Sequence, residues 1–253
     1  KAVTEIEGCM RAFIDSYPED GGCDEGTGYW DRAAASLFEC LDLMRQIKAD
    51  SLADVTVLDY RKDKVARMGA YIYKMYIANG YSVNFADAHE NKSVVQLNVL
   101  WPFALYLDDP AMKGFAAWLA KDKSFWADPA ALYAKSGNFP TLGRELMLLR
   151  QVSALSEERP VEPLAEAWLP DLQIAVMRGK DKFVAVKGGT NGESHNHNDV
   201  GSYIVYADGE PLLIDCGVGE YTSKTFSKER YTIWTMQSDY HNLPQVNGVS
   251  QRD

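Results

Sequence analysis

The spacing of apolar residues changes once along the chain, and this change limits the folds that are open to it. Before about residue 156, apolar side chains recur every three or four residues, whereas beyond about residue 170 they alternate, as in Leu172 and Ile174. The first spacing is typical of amphipathic helices and the second of half-buried strands. The sequence therefore predicts an α+β protein with a helical domain over residues 1–158 and an antiparallel β-domain over residues 159–253.

The helical part contains several separate apolar patterns that are divided by turn signals. They predict helices over residues 2–17, from near Trp30 to Lys48, from Lys62 to Ala78, and in shorter segments near 93–106, 111–120, 129–135 and 142–154. Paired helices with short connections indicate a bundle or an α/α toroid.

The later part predicts a β-meander that includes a tight hairpin. The alternating residues before Lys187 are interrupted by a turn signal at residues 179–181. The dipeptide Asp208-Gly209 stands between the apolar runs 203–206 and 211–215, and it favours a two-residue hairpin turn. We therefore expect these two runs to pair as neighbouring strands.

Composition and charge restrict the class of function. The chain has 253 residues, of which 46% are hydrophobic and 25% charged, and this is the composition of a folded globular protein. No apolar run approaches the ~20 residues that a membrane-spanning helix requires. The formal net charge of −10 argues against nucleic acid as the main partner, because phosphate binding requires a basic surface. The four cysteines show no C-x-x-C spacing, which disfavours a zinc–thiolate site.

The segment 192–201 contains an unusual density of groups that can do chemistry. His195 and His197 are two of only four histidines in the chain, and Ser, Asn and Asp residues flank them. In an extended segment, residues i and i+2 project to the same side, so both imidazoles could serve one site. Imidazole is suited to acid–base catalysis and to metal binding. A polar surface pair is the alternative, but the polar flanks favour a site.

A metal site is one interpretation of His197, Asp215 and His241. A two-residue turn at 208–209 places Asp215 opposite Ser202, and the chain from His197 to residue 201 spans at most ~13 Å. Two histidines and a carboxylate form a three-ligand site that suits zinc. The alternative is that Asp215 only ends a strand and that His241 pairs with a carboxylate. The remaining histidine, His89, is interpreted as structural or solvated.

Tyr29 follows a glycine-rich loop at residues 18–28 and is expected at or near the first turn of the helix that continues to Lys48. Unpaired backbone N–H groups and the positive end of the helix dipole would favour a phenolate there. The alternative is that Tyr29 only packs where the helix begins. Position along the sequence, taken alone, favours this alternative.

Four stretches of the sequence resemble the heparinase II/III-like polysaccharide lyases. Residues 189–201, 211–217 and 241–251 are similar to the signature of their β-domain, and residues 20–30 are similar to the loop that carries their catalytic tyrosine. The resemblance implies an α/α toroid followed by an antiparallel β-sandwich, both incomplete in this chain, with a glycan-binding cleft between them.

The resemblance also implies roles for individual residues. These lyases cleave acidic polysaccharides at uronic acid residues by β-elimination. Tyr29 matches their tyrosine, which acts as base, acid or both, and His195 matches its partner histidine. His197, Asp215 and His241 match the ligands of a zinc ion that orders the cleft in some members and is not a Lewis acid for the reaction. We further assign substrate contacts to Glu25, Glu193, Asn198 and Arg230.

Several expectations concern the wider protein. The resemblance implies a periplasmic or secreted enzyme with an acidic polysaccharide or oligosaccharide as its substrate. We expect the chain to be part of a longer lyase, in which the residue that neutralises the uronate lies outside this sequence. The oligomeric state stays open, with a homodimer as one option.

Two other classes of function remain as alternatives. One is a non-catalytic glycan-binding or scaffold protein in which the metal is structural. The other is a glycoside hydrolase that uses paired carboxylates, for which Asp24 and Glu25 are candidates.

Overall fold

The computed structural model describes residues 1–50, 54–90, 95–121 and 141–252. Within these residues the chain forms seven α-helices and two antiparallel sheets. It divides into two units, the first comprising Lys1–Gly22, Trp30–Tyr73 and Val94–Glu162, and the second Cys23–Tyr29, Lys74–Ser93 and Pro163–Asp253. The α+β class predicted from the sequence is confirmed, whereas the predicted boundary after residue 158 stays a prediction.

The helices of the first unit bury aromatic and aliphatic side chains such as Trp30, Phe38 and Phe103. The Phe38 and Phe103 rings stack with their centroids 4.7 Å apart. The predicted helix near 129–135 lies outside the described residues. The described helices are α1 (Ala2–Ser16), α2 (Ala34–Asp50), α3 (Lys62–Lys74), α4 (Leu97–Leu107), α5 (Pro110–Lys121), α6 (Thr141–Leu149) and α7 (Val152–Glu157).

Two of the predicted helices have wrong limits, and a third, near 142–154, is divided into α6 and α7 by a break after Leu149. Helix α2 begins at Ala34, so Tyr29 precedes it by five residues and lies in a short 3₁₀ turn, Thr27–Tyr29. Helix α3 ends at Lys74, and the chain continues into a hairpin of β1 (Tyr76–Ala78) and β2 (Tyr81–Ser82). The reason for the second error is the Asn-Gly dipeptide at 79–80, whose residues have φ values of 51° and 86°. Such a dipeptide favours a tight hairpin over a helix.

The second unit is built on a five-stranded antiparallel meander, as the alternating pattern predicts. The strands occur in sequence order, and each pairs with the next. Asp208 and Gly209 both have positive φ values, 51° and 78°, so the hairpin turn predicted at this dipeptide is confirmed. The strands are β3 (Glu166–Leu169), β4 (Ile174–Arg178), β5 (Lys182–Lys187), β6 (Tyr203–Ala207) and β7 (Glu210–Leu213).

Both faces of this sheet carry apolar side chains. One face buries the cross-strand row Val176, Ala185 and Ile204. The opposite face presents Val186 and its partner Tyr203 in a partly exposed state. An apolar surface on each side of a sheet is typical of a sheet that is covered on both faces.

The long connection between β5 and β6 is closed at its base by the strands. Lys187 N donates to Ser202 O at 2.8 Å, and Gly201 N donates to Lys187 O at 2.9 Å. A second loop, residues 84–90, approaches the chain just after β7, where Val218 N donates to Ala88 O at 3.2 Å. A Cβ on Gly217 would lie 2.8 Å from the same carbonyl oxygen, so glycine permits this close approach. These two loops carry the polar residues of the candidate site.

The structure also bears on membrane insertion and on the cysteines. In the parts of the chain described above, no helix combines the length and apolar character that crossing a bilayer requires. Cys9, Cys40 and Cys216 are free thiols.

Candidate active site and metal centre

His195 and His197 lie in the irregular loop between β5 and β6 and not on an extended strand, so the predicted strand geometry is wrong here. His195 has a φ of 54°, and Asp199 N donates back to His197 O at 2.9 Å, which turns the chain. Both imidazoles nevertheless contact one group, the carboxylate of Asp87. The two rings therefore meet at one group, but they do so through the turn of the loop and not through the alternation of side chains along a strand.

His197, Asp215 and His241 are brought together, as their proposed role requires. One potential ligand atom from each lies within 4.8 Å of the others, and all three residues are buried. The register differs from the expected one by one residue, because a bulge pairs Val205 with Leu213. Asp215 nevertheless meets Ser202, whose Oγ donates to Asp215 Oδ2 at 3.4 Å. Asn242 Nδ2 donates to Ile214 O at 2.7 Å, which ties the segment after His241 to the end of β7.

The hydrogen bonds of the two histidines suit a bound cation. His197 Nε2 lies 3.0 Å from Asp87 Oδ1, and His241 Nδ1 lies 2.7 Å from Asp215 Oδ2. The other ring nitrogens, His197 Nδ1 and His241 Nε2, are buried and have no hydrogen-bond partner in the described parts of the chain. Buried polar atoms are normally paired, so these two nitrogens are available to bind a metal ion. The donor set of two imidazoles and one carboxylate fits zinc.

Electrostatics within this group depend on the pairing of Asp215 with His241. Burial alone would lower the pKa of His241, but the hydrogen bonds with Asp215 and Cys216 raise it to about 10. Burial alone would raise the pKa of Asp215, but the hydrogen bond from His241 holds it below its usual range. Without a metal, the pair is therefore an imidazolium and a carboxylate. A cation that binds at Nε2 of His241 has to displace the proton there.

Tyr29 lies beside His195, with the two ring centroids 5.0 Å apart. Its hydroxyl oxygen is 2.5 Å from the hydroxyl of Tyr221. The prediction that Tyr29 lies in the first turn of a helix is wrong. Tyr29 is the last residue of a 3₁₀ turn, in which its backbone N donates to Gly26 O, and α2 begins only at Ala34. The Tyr29 hydroxyl is therefore held by a hydrogen bond with a neighbouring phenol and not by the dipole of a helix.

Asp87 and Tyr221 are the two residues of this cluster that sequence reasoning missed. Tyr221 Oη donates to Asp87 Oδ2 at 2.6 Å. Burial raises the pKa of Asp87, but hydrogen bonds from His197, Tyr221 and His195 outweigh it and lower the pKa to about 2. Burial and the hydrogen bond to Asp87 raise the pKa of Tyr221 above its usual range. The cluster therefore holds an ionised carboxylate and a neutral Tyr221 at neutral pH.

The sequence offered little signal for these two residues. In the segment 84–89 the sequence singled out His89 as a structural or solvated residue, and the structure shows that it is exposed. Asp87 is buried within the apolar run Phe85, Ala86 and Ala88, and a carboxylate in such a run is a weak indication of a polar site. No pattern marks Tyr221.

The four residues assigned to substrate contacts occupy different environments. Glu25 lies next to His195, with Oε2 3.8 Å from Nε2, and burial raises its pKa although His195 opposes this. Glu193 is paired with Lys187 at 2.9 Å. Asn198 is buried, and Arg230 donates to Asn196 O, Thr225 O and Asp87 Oδ1 within the fold. Of the four, Glu25 is the one whose carboxylate lies next to the His195 ring.

An exposed aromatic ring flanks the same cluster. Phe226 is 66% exposed, and its centroid lies 5.1 Å from the His195 ring and 5.3 Å from the Tyr221 ring. The guanidinium of Arg230 lies 6.0 Å from the centre of the same ring. An apolar ring that stays exposed beside polar groups is a surface on which a sugar ring can stack.

Comparisons with known proteins agree with this arrangement at the level of the fold. Residues 162–253 match the family described as heparinase II/III-like, C-terminal. Among solved structures, the chain is similar to heparinase III, with 13% identity and a TM-score of 0.62. It is also similar to a mutant of the heparan sulfate lyase HepC from Pedobacter heparinus, with 16% identity and a TM-score of 0.59.

These structural alignments cover 93% of this chain but only 34% of the heparinase III chain and 31% of the HepC chain, so the chain spans about a third of their length. A comparison with curated proteins gives no significant match. The resemblance noted in the sequence is confirmed: residues 162–253 match the heparinase II/III-like C-terminal family, and the fold of the chain is similar to that of heparinase III.

Proposed function

We propose that this chain carries the reaction centre of a lyase that cleaves acidic, uronic-acid-containing polysaccharides by β-elimination. The observation that carries the proposal is the hydrogen-bonded cluster of Tyr29, Tyr221 and His195 around the buried carboxylate of Asp87. Such a cluster contains a group that can accept a proton and a group that can donate one, side by side at a partly exposed position.

The hydrogen bonds assign a proton to Tyr29 in the resting state. Tyr221 has a single hydroxyl proton, and it donates that proton to Asp87, which can only accept. The oxygen of Tyr221 is therefore left to accept the hydrogen bond from Tyr29. Tyr29 consequently rests as a neutral phenol, and this suits the role of general acid.

His195 suits the role of general base. Its Nδ1 faces Asp87, whereas its Nε2 is 3.8 Å from Glu25, beyond the length of a hydrogen bond. A nitrogen that is not engaged in a short hydrogen bond can take a proton from a substrate placed next to it. The Asp87 carboxylate would stabilise the imidazolium that results, as a buried counter-charge.

The reaction then proceeds with a balanced set of proton transfers. His195 Nε2 takes the proton from C5 of the uronate, and the electron pair of that C–H bond forms a double bond between C4 and C5. The bond from C4 to the bridging oxygen breaks, and Tyr29 gives its proton to that oxygen. The products are a chain end with an unsaturated uronate and a second chain end with a new hydroxyl.

A zinc ion held by His197, Asp215 and His241 would have a structural role in this scheme. These ligands come from three separate segments of the second unit, and two of their nitrogens are buried without a partner among the residues that the structure describes. When bound, the ion would cross-link the loop of His197 to the chain after β7 and to the segment of His241. His197 shares Asp87 with His195, so this cross-link would also stabilise the position of the proposed base.

The proposal extends to the architecture and the setting of the protein. The helices of the first unit would be part of an α/α toroid, and the meander part of a β-sandwich. A second β-layer would cover the partly exposed apolar face that includes Val186 and Tyr203. We propose a periplasmic or secreted location and an acidic glycan as the partner.

The test is a panel of sulfated and unsulfated uronic-acid polysaccharides incubated with the chain. We expect ultraviolet absorbance from the double bond conjugated to the uronate carboxylate, in proportion to the new reducing ends. Tyr29→Phe should lower this rate by about 10²- to 10⁴-fold, which is the usual contribution of a general acid. Binding of the glycans by Tyr29→Phe should be retained.

Other results would contradict the lyase proposal. Reducing ends without the double bond would identify a hydrolase and direct attention to Asp24 and Glu25. Glycan binding without cleavage, unchanged in Tyr29→Phe, would identify a binding protein with a structural metal.

A further inference from the structure

Asp87 is the point at which the proposed reaction centre and the metal centre meet. The residue is fully buried, and four side chains converge on its two oxygens. Oδ1 faces His197 Nε2 at 3.0 Å and Arg230 at 3.2 Å, while Oδ2 faces Tyr221 at 2.6 Å and His195 Nδ1. The two imidazoles therefore use opposite ring nitrogens to reach the same carboxylate.

A carboxylate without a proton can only accept hydrogen bonds, so each nitrogen that faces it must carry the proton of its ring. The proton of neutral His195 is thereby placed on Nδ1, and that of neutral His197 on Nε2. In each ring the opposite nitrogen keeps its lone pair. For His197 this is Nδ1, which is buried without a partner among the described residues.

We propose that Asp87 is a positioning residue that fixes His195 and His197 in complementary tautomers, leaving Nε2 of His195 free for proton transfer and Nδ1 of His197 free for a metal ion. One carboxylate thereby prepares both centres. The inference rests on the proposed function for the role of His195, whereas the tautomers themselves can be measured without any substrate.

Replacement of Asp87 by asparagine gives a specific expectation. Arg230 is always a donor, so the amide oxygen of the variant should stay on the side of Arg230 and His197. The NH₂ group would then face His195 Nδ1 and turn it into an acceptor. His195 should therefore change to the tautomer with the proton on Nε2, while His197 keeps its proton on Nε2.

The experiment is ¹H–¹⁵N correlation spectroscopy of the ring nitrogens, recorded on the metal-free chain over a range of pH so that neutral tautomers are observed on the alkaline side. The chain contains only four histidines, so each can be assigned by its own His→Gln variant. In the wild type we expect a proton on Nδ1 of His195 and on Nε2 of His197. In Asp87→Asn, His195 alone should change.

Titration with Zn²⁺ alone provides a second measurement on the same samples. Zinc should shift Nδ1 of His197 and Nε2 of His241 in the wild type. The affinity of Asp87→Asn for Zn²⁺ should be about 10- to 100-fold lower, which is the usual effect of losing the carboxylate partner of a ligating histidine. Asp239→Asn is the matched control, because the Asp239 carboxylate contacts Gln245 and Ser250 but neither of the two imidazoles that contact Asp87.

The outcomes separate this inference from the proposed function. A wild-type His195 with its proton on Nε2, or a variant in which His195 does not change, would overturn the inference. Should Asp87→Asn fail to fold, the wild-type tautomers and the nitrogens shifted by Zn²⁺ still decide it. The expected tautomers in a chain that forms no unsaturated product would uphold the positioning role and contradict the lyase function alone.

Discussion

The hydroxyl oxygens of Tyr29 and Tyr221 lie 2.5 Å apart, although 192 positions separate the two residues in the sequence. Tyr221 in turn donates to the buried carboxylate of Asp87 at 2.6 Å. Tyr29 is therefore connected to an ionised group through one intervening phenol. In the proposed reaction, this connection would hold the proton of Tyr29 in place until it is transferred.

Removal of the Tyr221 hydroxyl should weaken the reaction without abolishing it. Tyr221→Phe deletes the hydrogen bond between Tyr29 and the Asp87 network, and we expect kcat to fall by about 10- to 100-fold, the equivalent of one charge-assisted hydrogen bond. The rate of formation of the unsaturated product measures this effect. Tyr240→Phe is the control, since Tyr240 is an exposed tyrosine of the same unit that packs on Trp234. Equal rates in the two variants would show that the connection has no role.

The position of Tyr29 should depend on the glycine at position 26 of the loop that precedes it. A Cβ on Gly26 would lie 2.6 Å from Phe85 O, and the residue has a φ of 94°, so Gly26→Ala should destabilise the fold by about 1–3 kcal/mol and displace Tyr29. A Cβ on Gly28 would meet no atom closer than 3.4 Å, so Gly28→Ala is the matched variant. Thermal unfolding and activity should both fall in the first and change little in the second. The reverse order would contradict the loop geometry.

Zinc should stabilise the chain through the two buried imidazoles. At a free Zn²⁺ concentration of about 100 times Kd, the folded state gains about 2.7 kcal/mol, which calorimetry detects as a rise in Tm. His197→Ala and His241→Ala should lose this rise, and a chelator should reverse it in the wild type. His89→Ala provides the control, because His89 is exposed. A rise in Tm that survives in His241→Ala would place the metal elsewhere.

Stability of the first unit should depend on pH through Glu7. Its Oε1 accepts hydrogen bonds from Val57 N at 2.7 Å and Thr56 N at 2.6 Å. The backbone hydrogen bond from Val57 is the main reason that the pKa of Glu7 lies below its ordinary value of 4.5, since burial opposes the shift. A carboxyl whose pKa is lower in the folded state stabilises that state above its unfolded pKa, and the stabilisation is lost as the pH falls through the folded pKa.

The Glu7→Gln variant isolates this contribution. We expect it to lower the free energy of unfolding by about 1–3 kcal/mol at neutral pH and to differ little from the wild type well below pH 4.5. Denaturant unfolding at a series of pH values measures the difference. A gap between the two proteins that is constant across the acidic range would show that the charge of Glu7 is not responsible.

Local patterns along the sequence were sufficient for the main secondary structure and for part of the site. The alternation of apolar residues and the Asp208-Gly209 turn determined the meander, because strand burial and hairpin geometry depend on residues close in sequence. Ligand chemistry and hairpin register together indicated that Asp215 could reach His197. The helix prediction failed near Asn79-Gly80. The helical spacing of apolar residues continues towards this dipeptide, but the dipeptide forms a hairpin turn and the helix ends before it.

Only the tertiary structure decided which groups surround the proposed catalytic pair. Asp87 and Tyr221 lie 108 and 26 positions from His195, and their contacts with it follow from the packing of loops whose approach no local pattern encodes. The sequence by itself determined the residue types that could perform acid–base chemistry and bind a metal. The structure decided their partners, because hydrogen bonds between distant segments depend on how the whole unit packs, and these partners set the proton on each ring.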